Sequence, residues 1–94
     1  MKRKTKPAFI ITRYDKIKLA LHFKTMTSCD GLCYNPYTKQ KKILIHNKLG
    51  KKRKLNVLIE EICHAFFYDE PEYKVRKFSA ELGRIIYNQF ITNR

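Results

Sequence analysis

Between His46 and Leu55 the hydrophobic pattern of this chain changes its period, and that change limits the folds open to it more than any other feature. Upstream, apolar residues alternate. In "KIKLALHFK" (16–24), Ile17, Leu19, Leu21 and Phe23 project to one side and Lys16, Lys18, His22 and Lys24 to the other, the pattern of a strand with one face on a core. "AFIIT" (8–12) and "KKILIHN" (41–47) are also strand-like, the latter with Ile43 and Ile45 opposed to Leu44 and His46. "RYDK" can turn, which predicts a hairpin. "CDGLCYNPY" (29–37), with Gly31, Asn35 and Pro36, reads as a loop or a short irregular edge strand. Downstream of "KLGKKRK" the spacing is helical. Leu55, Leu58, Ile59, Ile62, Cys63 and Phe66 form one stripe, which Asp69, Glu70 and Pro71 end. A second helix through "EYKVRKFSAELGRIIYNQF" then buries Val75, Phe78, Leu82, Ile85 and Ile86. Strands followed by helices predict an α+β fold, a small three- to four-stranded sheet followed by two packed antiparallel helices.

A chain of 94 residues holds one core and no second lobe, so any active site is small and open. Residues 1–7 read as a basic tail and 8–94 as a single domain. Six Tyr, six Phe and a hydrophobic content of 44% argue against a disordered basic segment. Lysine and arginine number 21 against 8 acids, a net charge of +13, and they cluster at 2–6, 39–42 and 48–54. Clustering favours a contact surface for an anionic partner over a uniformly solvated exterior. Three cysteines, Cys29, Cys33 and Cys63, cannot complete an intramolecular disulfide framework. The opening apolar run is too short for a signal peptide, and no stretch approaches a membrane span. A cytoplasmic setting without a membrane partner is the expectation, the host cytoplasm or the virion if the chain is viral.

The chemistry-bearing stretch is "LIEEICHAFFYDEPEY" (58–73). It differs by one letter from H-E-x-x-H, in which two histidines one helical turn apart hold a metal and the glutamate activates water. Glu60 and His64 are four apart, so a carboxylate and an imidazole project together and can hold one ion between them. Glu61 sits about 100° round the helix, where a general base belongs. The short "FFYDEP" link folds the second helix back and brings its first turn, with Glu72, near this pair. Glu81 competes as third ligand, but nine residues at about 100° each turn it to the opposite side. Glu72 is therefore the expected third ligand. The bland alternative is an ordinary i,i+4 pair worth a few tenths of a kcal/mol.

The surrounding residues resemble a family, the small gluzincin-type metallopeptidase domains, also called minimal gluzincins or SprT-like proteins, common as short phage and prophage reading frames. The resemblance spans roughly 16–87. A "DGxCxxP" turn is matched by Asp30, Gly31, Cys33 and Pro36, and a "KKIxI" strand by Lys41, Lys42, Ile43 and Ile45. A "LxGKRxLxVLIHExxHA" stretch is matched by Leu49, Gly50, Lys52, Arg53, Leu55, Val57, Leu58, Ile59, Glu61, His64 and Ala65. An acidic helix start and a "VxxxAxxL" helix are matched by Glu72, Val75 and Leu82. The resemblance implies a zinc-dependent peptidase acting on a peptide or protein substrate, with His64 and Glu72 as metal ligands and Glu61 as base. Glu60 stands where the family has its first histidine.

That departure has chemical consequences. Two carboxylates and one imidazole bring a divalent ion to formal neutrality, which weakens its Lewis acidity and favours Mn2+ or Fe2+ relative to Zn2+. The outcomes are a slow or differently metallated peptidase, a structural metal site, or an empty site in which Glu60, Glu61 and Glu72 need a cation or a proton. A rival reading is an inactive peptidase scaffold serving as a basic nucleic-acid-binding module or a virion component. There Lys51, Lys52, Arg53 and Lys54 would contact phosphates, with Tyr14, Tyr34 and Tyr37 available to stack. A zinc site from Cys29, Cys33, Cys63 and His64 is disfavoured, because adjacent helical residues diverge, and Cys63 reads as a core residue. His22 and His46 read as surface residues.

Overall fold

The computed structural model describes residues 6–92. Residues 1–5 of the expected basic tail, and the last two residues of the expected domain, lie outside the described residues. Strands β1 (Phe9–Thr12) and β2 (Lys18–Lys24) form the expected antiparallel hairpin, with Phe9 opposite Leu21 and Thr12 opposite Lys18. The reversal between them passes through Lys16 at φ 70, and Asp15 supplies a side-chain acceptor to the Ile17 N–H. The "CDGLC" segment provides a short strand, β3 (Gly31–Cys33), and β4 (Lys42–His46) follows. The sheet order is β1-β2-β4-β3. β4 runs parallel to β2 and β3 pairs antiparallel on its far side, so β3 is an outer edge.

Alternation along the strands sends Ile11, Leu19, Leu21, Ile43 and Ile45 into one core, which Val57 and Ala65 complete from a helix. That helix, α1 (Lys51–Phe66), also lays Leu58, Ile62 and Phe66 against the core. Leu44 is buried as well, so the inner strand β4 is covered on both faces, unlike β2. α1 begins four residues before the apolar spacing shows a helix. Its first turn, Lys51, Lys52, Arg53 and Lys54, has no apolar face to read, and Gly50 enters it with extended backbone and no side-chain cap.

The second helix, α2 (Glu72–Ile86), widens into a π-helical turn over Tyr87–Thr92. Its buried residues are Val75, Ser79 and Gly83, whereas Phe78 (52% exposed) and Ile85 (46%), expected inside, face outward. α2 packs chiefly on α1 and not on the sheet. The two helices approach so closely that a Cβ on Gly83 would lie 2.5 Å from Asn56 Oδ1, so small residues occupy the seam and the larger apolar side chains rotate away from it. No helix among the described residues is long and apolar enough to cross a membrane.

Candidate metal centre

The third and fourth turns of α1 carry Glu60, Glu61 and His64 on adjoining faces. His64 Nε2 lies 3.6 Å from Glu60 Oε2. The Phe67 N–H closes α1 on the Cys63 carbonyl, the Glu70 N–H turns back to the Phe67 carbonyl, and Pro71 caps α2. This reversal makes Glu72 the first residue of α2 and brings its Oε1 to 4.0 Å from His64 Nε2. Glu72 Oε2 is paired with Arg76 Nε at 3.0 Å.

A buried arginine steadies the reversal. Arg13, 3% exposed, donates from Nη1 to the Ala65 carbonyl at 2.8 Å and from Nε and Nη2 to Asp15. Its Nη2 also donates to the Tyr37 hydroxyl, which in turn donates to Asp69 in the α1–α2 link. The hairpin turn is thus tied to the end of α1 that bears His64.

The two carboxylate–imidazole separations are too long for hydrogen bonds. The 3.6 Å separation is near the edge length of about 3.4 Å expected between ligands of a tetrahedral ion bonded at about 2.1 Å, whereas the 4.0 Å separation to Glu72 is longer than that edge. Among the described residues no group of three His, Cys, Asp or Glu side chains is placed to hold a metal ion as it stands. Glu60 and Glu72 both approach His64, with Glu72, 59% exposed and held by Arg76, the looser of the two carboxylates.

Glu61 is half-buried because the β3 backbone is pressed onto α1. A Cβ on Gly31 would fall 2.6 Å from Val57 Cγ1 and 3.1 Å from Glu61 Oε2, so only glycine permits this approach. Burial pushes the Glu61 carboxyl up to about 6; the charge of His64 opposes the rise, and Glu60 and Glu72 add to it. A carboxylate poised there is suited to accept a proton near neutral pH. Glu60, Glu61, His64 and Glu72 line a cavity of about 380 Å³. Its walls include the β3 edge, Tyr68 and Arg76. Cys33 is also in the wall, its thiol pushed up to about 12 by burial and by Glu61, so it stands as a neutral group rather than a nucleophile.

Tyr68 and Arg76 were not legible as site residues, although each lies four residues beyond a site member, His64 and Glu72 respectively. Glu81 is exposed and paired with Arg84, away from the site, in agreement with the helical angle. Cys63 is a core residue, 5% exposed, and Cys29 is exposed. His22 and His46 are half-buried rather than on the surface; His46 Nδ1 accepts the Met26 N–H and closes the end of β4. In the first turn of α1, Arg53 pairs with Asp30, Lys52 lies over the Tyr87 ring, and Lys54 lies over Phe23. No known protein family, characterised protein or solved structure matches this chain.

Proposed function

We propose that this protein is a metal-dependent hydrolase of the peptidase type, a one-histidine relative of the gluzincin-type domains it resembles. Glu60, His64 and Glu72 would hold the cation, and Glu61 serves as general base. The observation that carries this reading is the approach of two carboxylates from consecutive helices to one imidazole, beside a glutamate whose carboxyl burial has raised to about 6. A divalent ion at this position supplies Lewis acidity toward a scissile carbonyl. The oxygen-rich donor set favours Mn2+ or Fe2+ over the zinc of histidine-rich centres. Glu61 accepts the proton of the attacking water and returns it to the leaving amine. The outer edge of β3, from Gly31 to Cys33, is free of a neighbouring strand among the described residues and lies next to Glu61, so an extended peptide would pair there with the bond to be cut along that edge.

Titration of the metal-free protein with Mn2+ and Zn2+ in a calorimeter tests the reading. One equivalent should bind, binding should be lost in His64→Ala and Glu72→Ala, and Glu60→His should shift preference toward Zn2+. Absence of stoichiometric binding, with a melting temperature that chelator does not move, would overturn it.

A further inference from the structure

The seam between α1 and α2 opens into a second cavity of about 610 Å³, lined by Lys52, Arg53 and Asn56 from α1 and by Arg76, Ala80 and Arg84 from α2. Glu60 and Arg76 line both this cavity and the one around His64, so the two cavities adjoin and together mark out a groove along the helix pair. The groove is polarised. One end holds Glu60, Glu61 and Glu72, and the other Lys52, Arg53 and Arg84. Seven residues separate Glu60 from Arg53 and twelve separate His64 from Lys52, which at 1.5 Å per residue is about 10 to 18 Å. An extended chain at about 3.3 Å per residue crosses that distance in about three to five residues.

The cations at the far end are placed against their own local interest. Lys51, Lys52, Arg53 and Lys54 crowd the positive end of the α1 dipole, in a first turn that itself contains no acid and has no side-chain cap. Arg53, Arg76 and Arg84 have carboxylate partners in Asp30, Glu72 and Glu81, and Lys52 rests on Tyr87. All three ion pairs are solvent-exposed, and such pairs open readily. A guanidinium carries five N–H donors, more than one carboxylate satisfies. A ligand carboxylate can therefore join or replace these partners.

We propose that this groove binds an extended peptide bearing acidic side chains about three to five residues from the bond presented to Glu61, and so selects substrates with an acidic flank. The position of the scissile bond rests on the hydrolase reading above; recognition of the acidic flank by Lys52, Arg53 and Arg84 does not. A nucleic acid suits the groove less well. It carries a phosphate at every residue and would bring negative charge against Glu60, Glu61 and Glu72, whereas a peptide can leave that end neutral.

The test is fluorescence anisotropy with three labelled twelve-residue peptides, half Glu-rich and half neutral, wholly neutral, or half Lys-rich, together with a single-stranded oligonucleotide. Each is measured at rising salt on the full chain carrying Glu61→Gln, which prevents turnover. The half-acidic peptide should bind at least about tenfold tighter than the neutral one and weaken as salt rises. Ala80 is exposed and lines the groove, and Ala80→Glu should weaken that binding about tenfold while leaving the melting temperature unchanged. Acid-selective binding that Ala80→Glu abolishes in a protein holding no metal would keep the groove and overturn only the hydrolase reading. Equal affinity for acidic and neutral peptides, indifference to Ala80→Glu, or tighter binding of the oligonucleotide than of the acidic peptide would overturn the proposal.

Discussion

Arg13, packed on the end of α1, and Glu61, carried by α1 itself, are both ionisable groups taken from water, and the fold treats them in opposite ways. Around Arg13, burial alone would lower the guanidinium, but hydrogen bonds to Tyr37 and Asp15 and the Asp15 charge raise it above its ordinary value. The donor fork is met by a backbone carbonyl, a carboxylate and a phenol, and the charge becomes part of the scaffold. Around Glu61, burial and the carboxylates of Glu60 and Glu72 act in the same direction, against the ionised form, and His64 offsets only part of this. Both regions obey the rule that a charge taken from water must be compensated. In the first, the chain supplies the compensation itself; in the second it leaves a deficit that a cation or a proton fills. One region pins the helix end, and the other uses the rigidity so gained to hold like charges together.

The comparison breaks most directly at Arg13. Arg13→Ala should destabilise the protein by about 3 kcal/mol in urea denaturation, because it strips the Ala65 carbonyl and the Tyr37–Asp69 link of their buried partner. A loss under 1 kcal/mol would show that the helix end is held by packing alone. At Glu61 the expected effect is smaller and depends on pH. A folded-state value of about 6 against an ordinary 4.5 means that the folded form binds more protons in that interval, so stability is greatest below about 4.5 and falls as pH rises through about 6. The loss is at most about 2 kcal/mol, at about 1.4 kcal/mol per pH unit. In chelator, thermal melts from pH 4 to 8 should show this fall in the wild type relative to Glu61→Gln; parallel curves for the two proteins would show that Glu61 is not strained. The smallest effect is at Arg76. Its pair with Glu72 is exposed, so Arg76→Gln should change stability by less than about 1 kcal/mol. Because it frees Glu72 Oε2, it should tighten Mn2+ binding several-fold in calorimetry. Weaker binding would instead show that Arg76 orients Glu72 toward the ion.

Much of the architecture was legible because it is written in local periods. The alternation in residues 16–24 marked β2, the spacing of Leu55, Leu58, Ile62 and Phe66 marked α1, and the brevity of the link before Pro71 placed Glu72 near His64. The first turn of α1 was hidden because helix geometry without an apolar face leaves no pattern. The inward face of α2 follows the helical spacing at Val75 and departs from it at Phe78 and Ile85, because the close approach of α1 at Gly83 reserves the seam for small residues.

Residue order by itself therefore determined the element types, their succession, and the placement of Glu60 and His64 on one helical face, since these depend on neighbours within one or two turns. Tertiary structure alone decided the parallel pairing of β2 with β4, the closure of Arg13 onto a carbonyl 52 residues away, the burial of Glu61 beneath the Gly31 backbone, and the placing side by side of two cavities that share Glu60 and Arg76. The reason is physical. Periodicity is a property of consecutive residues, whereas desolvation and charge compensation depend on which distant segments come into contact.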